Sequence, residues 1–180
     1  MLSIKIPSVE YYDEANNIFS ESKECILQLE HSLVSISKWE SKWHKPFLSD
    51  SKKTYDEIID YVKCMTITQN VDPLVYSFIS KEAFDKIEKY IDDPMTATKF
   101  SDNNNKNGKK EIVTSEIIYY WMISFNIPFE CQKWHINRLL TLIRVCNIKS
   151  QPKKKMSKSE LMTRNRALNA SRRKALNTKG

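Results

Sequence analysis

Glycine is nearly missing from this chain: Gly108 and Gly180 are the only two in 180 residues. A backbone with so few freely left-handed positions is poorly suited to the many tight turns of a β-barrel or β-sandwich. It predicts a mostly helical architecture whose loops turn on Pro, Asn, Asp and Ser. The same scarcity removes whole classes of chemistry. A phosphate-cradling loop, a dinucleotide fingerprint and a Walker motif each need several glycines at fixed spacing, so nucleotide enzymes of those kinds are excluded.

The chain is long enough for one compact domain with a hydrophobic core and too short for two of ordinary size. Hydrophobic residues make up 41% and aromatics 11%, with Trp39, Trp43, Trp121 and Trp134 among them, which excludes a wholly disordered chain. No apolar run approaches the length of a membrane span, and MLSIKIPSVEYYDEANN has neither a basic start nor an apolar signal core. The expectation is a cytoplasmic protein without a membrane partner. Cys25, Cys64, Cys131 and Cys146 lie far apart without a C-x-x-C spacing. Reduced, packed thiols are expected rather than disulfides or a zinc site.

Residues 1–30 read as strands. LSIKI alternates before Pro7, VEYY precedes the turn-rich DEANN, and CILQLE alternates again, so a small antiparallel β meander is predicted. Helices follow over residues 31–100. Leu33, Ile36, Trp39 and Trp43 share one helical face that ends before Pro46. Thr54 and Glu57 form a capping-box pattern ahead of Ile58, Ile59, Tyr61, Val62 and Met65. Asp72-Pro73 opens a short helical segment, and Ser80 caps KEAFDKIEKYI, whose Phe84, Ile87 and Ile91 share a face. Residues 101–110, SDNNNKNGKK, hold no apolar side chain and read as an exposed loop or hinge. In residues 111–148, SEIIYYWMISFNI predicts a buried central helix. Pro128 then starts a long helix, FECQKWHINRLLTLIRVC, which forms a helical hairpin with it. The globular domain is thus predicted over residues 1–148.

Residues 149–180 differ in kind. They carry eleven Lys or Arg against one acid, Glu160, so this tail holds +10 of a chain whose total is +7. The basicity is local, on a body that is mildly acidic. Ser157 and Glu160 repeat the capping-box pattern, so the tail is predicted to be helical, with Leu161, Leu168 and Leu176 too sparse to bury it. Lys153, Lys154, Lys155, Lys158, Arg164, Arg166, Arg172 and Arg173 are the candidate partner-binding residues. Three readings fit the composition: a grip on nucleic-acid phosphates, a helix for an acidic protein groove, and a solvated extension.

Catalytic and metal chemistry find little support. Cys131 and His135, four apart on a predicted helix, match half a metal site, but no second pair joins them, and a packed Cys beside a hydrogen-bonded core His is the better reading. No catalytic residue, metal ligand or cofactor is assigned. Trp39/Trp43 and Tyr119-Tyr120-Trp121 could stack unpaired bases, but their apolar stripes fit a helical core better. Asp92-Asp93 before Pro94 reads as a solvated turn, and Glu10, Asp13 and Glu14 decorate a hairpin.

Five segments carry a family resemblance: LEHSLVSISKWESKWHKPFL, DYVKCMTITQNVDPLVY, YIDDPMTATKF, EIIYYWMISFNIPFECQKWHINRLLTLIRVCNIK and LNASRRKALNTKG. Together they resemble small proteins of tailed bacteriophages associated with tail assembly chaperones, over Leu29 to Gly180. The resemblance implies a non-enzymatic protein of the infected bacterial cytoplasm. It would bind the long helical tape-measure protein, recruit tail-tube subunits, and be absent from the finished virion. A virion structural component of the tail or connector, and a nucleic-acid-binding protein acting through the basic tail, are the competing expectations.

Overall fold

The computed structural model describes residues 1–13, 17–49, 51–100, 112–151 and 157–178. The loop expected at 101–110 and the cations Lys153, Lys154 and Lys155 lie outside them. The fold is mainly helical with a small antiparallel sheet. The chain divides into two compact units, Met1–Asn147 and Ile148–Gly180.

Four strands open the first unit: β1 (Leu2–Ile6), β2 (Val9–Asp13), β3 (Ile18–Ser22) and β4 (Cys25–Leu29). β1 pairs antiparallel with β4, and β2 with β3. Leu2 faces Leu29, Ile6 faces Cys25, Val9 faces Ser22 and Asp13 faces Ile18, so both ladders keep one register. The predicted meander is therefore corrected to a single long hairpin, interrupted where Pro7 and Ser8 pass Lys23 and Glu24. Pro7 has no N–H to give the ladder, which removes rungs without turning the chain back. Alternation then sorts the two faces. Ile4, Ile6, Leu27 and Leu29 are buried on one, while Lys5, Ile26 and Gln28 are exposed on the other. Thr66 and its neighbours extend this sheet: Leu29 and Thr66 form a bridge, and the Ile67 N–H donates to the Gln28 carbonyl at 2.8 Å.

The helices start where side chains can satisfy their first N–H groups. In α1 (Leu33–Trp43) the Ser32 hydroxyl accepts from the Ser35 N–H, and His44 ends the helix in the left-handed region at φ 52°. Leu33, Ile36 and Trp39 are buried, as their spacing predicts. The predicted capping box of α2 (Tyr55–Met65) is complete: Thr54 Oγ1 accepts from the Glu57 N–H at 3.3 Å, and Glu57 Oε2 accepts from the Thr54 N–H at 2.7 Å. Thr54→Ala is expected to destabilise the chain by about 1 kcal/mol, readable as a lower urea midpoint at unchanged slope. Asp72 caps a 3-10 turn, Pro73–Phe78, and Ser80 caps α3 (Lys81–Asp92). Among the described residues with positive φ, Asn17, Asn70, Asn126 and Asn177 stand where glycine-richer proteins use glycine.

Two expectations for the following segment are corrected. The predicted buried central helix, α4 (Ser115–Ser124), buries Ile118 and Met122 but leaves Tyr120 and Ile123 exposed by 66% and 61%. Continuous apolar sequence covers all sides of a helix, whereas its neighbours cover only some of them. The long helix from Pro128 is instead a 3-10 turn, Phe129–Lys133, followed by α5 (Ile136–Ser150). Trp134 is extended, and the Ile136 N–H donates to the His31 carbonyl at 2.7 Å. A bridge between Ser32 and His135 thus breaks the helix that local sequence favours. In the second unit, α6 (Lys158–Leu176) begins on the Ser157/Glu160 capping box and ends at Asn177, φ 53°.

Candidate partner-binding surfaces

The first candidate surface lies on the body. α2 and α3 leave between them a half-open cavity of about 300 Å³, walled by Phe47, Ile58, Val62, Phe84, Ile87 and Ile91. Val62 and Ile87 form its buried floor, while Ile58 is 41% exposed and Phe84 and Ile91 are half-buried. The predicted apolar face of α3 therefore lines an open groove as much as it seals a core. Lys53 and Glu88 also line the groove. The Lys53 ammonium sits 4.6 Å from the centre of the Phe47 ring, and burial pushes its pKa down against the pull of Glu57.

A second candidate surface is α6. Lys158, Arg164, Arg166, Arg172 and Arg173 all lie on this helix, and none of its residues is buried. The fold brings these five sequence-predicted cations onto one rod. The single acid of α6, Glu160, is committed to its start: Oε2 accepts from the Ser157 N–H at 2.9 Å and from its hydroxyl at 3.0 Å. Those bonds hold its carboxyl below the usual range.

The catalytic and metal candidates resolve into packing. Cys131 is buried in the 3-10 turn, and His135 lies beyond the extended Trp134, so the two do not share a helical face. His135 Nε2 meets the Tyr90 carbonyl at 2.9 Å, and its Nδ1 accepts from the Asn137 N–H at 3.3 Å, a side-chain cap for α5. No group of three or more His, Cys, Asp or Glu is placed to hold a metal among the described residues. Trp39 is buried, stacks against Trp43 at 6.2 Å, and donates from Nε1 to the Glu57 carbonyl at 2.8 Å, so it offers no platform for bases. Asp93 Oδ1 accepts from the Met95 N–H at 2.8 Å, a turn as predicted.

Of the carboxylates that matter to the body, Glu40 and Asp60 gave no sequence signal, and Glu57 signalled only its capping box. Glu40, in the last turns of α1, is buried and accepts from the Phe47 N–H at 2.7 Å and the Ser115 N–H at 2.8 Å. Glu57 adds to its capping box a 2.5 Å ion pair with Lys45, which with the Thr54 N–H holds its carboxyl below the usual range. Asp60 meets Lys42 and, at 2.9 Å, the Trp43 Nε1–H. On the hairpin, Tyr12 and Phe19 form an exposed aromatic pair at 5.1 Å. No helix among the described residues is long and apolar enough to cross a membrane. No protein-family model, curated protein or solved structure matches the chain.

Proposed function

We propose that the chain is a non-enzymatic tail assembly chaperone of a tailed bacteriophage, acting in the cytoplasm of the infected bacterium. In this reading the α2/α3 groove shields amphipathic helical segments of the tape-measure protein, and the bound chaperone works with tail-tube subunits before leaving the assembly. The observation that carries the reading is the groove itself. Ile58, Phe84 and Ile91 stand partly exposed around a floor of Val62 and Ile87, the kind of apolar trough into which an amphipathic helix lays its face. The five segments that resemble such chaperones support it from the sequence side.

Affinity capture of the tagged chain from infected cells, after nuclease treatment and at moderate salt, is expected to retain a very long helical protein and a tube subunit. Ile58→Asp with Ile91→Asp should weaken retention of the long protein by about tenfold or more, since each removes an apolar anchor worth about 1 kcal/mol or more. Far-UV circular dichroism should stay unchanged, because both side chains are partly exposed already. Finding the chain in purified particles at a symmetric copy number would overturn the reading in favour of a virion component.

A further inference from the structure

The second unit carries an inference that stands apart from the groove. α6 holds six cations, Lys158, Arg164, Arg166, Arg172, Arg173 and Lys174, against Glu160 alone over 19 residues. At about 100° per residue, Lys158, Asn165, Arg166, Asn169, Arg172 and Arg173 fall within one arc about 120° wide, which they share with Met162 and Leu176. The opposite arc holds Thr163, Ala167 and Ser171 together with Glu160, Arg164 and Lys174, so four of the six cations share the first arc and two lie across from it. Glu160 neutralises little of this arc, because its carboxylate is drawn to the helix start by Ser157.

The composition of the face selects among anionic partners. A helix that docks in a protein groove needs apolar anchors at i, i+3, i+4 and i+7. The residues three and four beyond Leu161 are Arg164 and Asn165, and those beyond Leu168 are Ser171 and Arg172, so the i+3 and i+4 anchors are missing and only one leucine per two turns, Leu161, Leu168 and Leu176, remains. A helix lying in a membrane surface needs aromatic or leucine-rich packing opposite its cations, and α6 contains no aromatic residue. A duplex groove asks for neither. It takes a slim helix about 10–12 Å across, guanidinium forks for phosphate and guanine, and amides for adenine. Arg supplies four of the six cations.

We infer that α6 binds duplex DNA by lying in the major groove, with Lys158, Arg166, Arg172 and Arg173 on phosphates and base edges. Charge on the phosphates complements the cationic arc, and the helix, about 28 Å long, spans about eight base pairs. Contacts of this kind release counterions, so binding is salt-dependent and largely indifferent to sequence.

The test is fluorescence anisotropy of the full chain with a labelled duplex of about 20 base pairs, from about 50 to 200 mM salt. The logarithm of the affinity should fall linearly with the logarithm of salt. R172Q/R173Q should flatten that slope by about 1.8, since each phosphate contact contributes about 0.9. The same pair should weaken binding at low salt by at least tenfold, whereas K86Q/K89Q, removing two exposed cations from α3, should change neither quantity. Ala170→Pro keeps every charge but breaks the helix, and should abolish the preference for duplex over single-stranded DNA. An unchanged slope in R172Q/R173Q would overturn the inference. Equal competition per charge by poly-L-glutamate would overturn it for an acidic protein partner, and equal competition by duplex RNA or single strands for a grip on phosphates without a B-form groove.

Discussion

Glu40→Ala is expected to destabilise the chain by about 4 kcal/mol, from two hydrogen bonds to a charged acceptor at about 1.5–3 kcal/mol each. Glu40 is 8% exposed, and its two oxygens reach in different directions. Oε1 accepts from Phe47, just past α1, and Oε2 accepts from Ser115, the first residue of α4. Thr114, at the N-cap of α4, makes no side-chain cap bond. A carboxylate from α1 therefore does part of the work of a helix cap from 75 residues away, and its charge faces the positive end of the α4 dipole. Truncation would strand two buried N–H groups at once. For a chain of this size the loss corresponds to a fall of about 8–16 °C in the thermal midpoint. Glu40→Gln keeps the shape and one acceptor oxygen, and should show about half the effect. Glu88→Ala, on the exposed side of α3, should stay within about 0.5 kcal/mol of the wild type. Urea unfolding followed by tryptophan fluorescence separates these outcomes, and a Glu40→Ala variant within about 1 kcal/mol of the wild type would refute the assignment.

Acid should weaken the body well before its carboxylates titrate. His31 is 2% exposed, with Nδ1 at 2.5 Å from the Tyr61 hydroxyl and its ring edge-on to His135 at 5.0 Å. Phe47 packs on the same imidazole at 6.2 Å. Burial, with His135 adding to it, pushes the His31 pKa down to about 3. In the unfolded chain a histidine titrates near 6.5. Between those values the unfolded chain binds a proton that the folded chain refuses, so stability is full above about pH 6.5 and falls as pH drops toward 3. The slope is about 1.4 kcal/mol per pH unit, which makes about 2 kcal/mol between pH 6.5 and 5. Glu57 contributes in the same direction but lower down. Its depressed carboxyl adds stability above the unfolded value near 4.3, and that share is lost only as pH falls through the carboxylate range. Urea midpoints at pH 7, 6 and 5 therefore isolate the histidine, and His31→Gln should flatten the dependence. A His31 ring that titrates near 6.5 in the folded chain, seen by NMR, would refute it.

Much of the helical framework was legible because its signals are local. Thr54 with Glu57, Ser80, and Ser157 with Glu160 each satisfy N–H groups within three residues, so side-chain chemistry and helix start coincide. The cations of α6 were legible for a similar reason: a dense run of Lys and Arg stays in water wherever the chain leads. Misreadings arose where a distant backbone competed with local preference. Pro7 looked like the end of a strand and the start of a turn, yet the register of β1 with β4 carries on into β2 and β3. Cys131 and His135 looked like neighbours on a helix until Ser32 paired with His135 and drew Trp134 into an extended conformation.

The groove divides along the same line. Ile58, Phe84, Ile87 and Ile91 announced apolar helix faces, but whether a face is sealed or left open depends on what packs over it, and periodicity carries no record of that. Glu40 and His31 were silent for a stronger reason. A carboxylate or an imidazole is indistinguishable in sequence from its solvated counterpart until the chain surrounds it, and Tyr61, which meets His31, and Ser115, which meets Glu40, lie 30 and 75 residues away from them. By itself the sequence determined where most of the helices lie and start, that the excess of basic charge is confined to one end, and that glycine-built nucleotide sites are absent. Only the tertiary structure decided which apolar faces remain open and which polar groups are stranded without each other. Those outcomes follow from burial, a property of the whole chain and not of any short stretch of it.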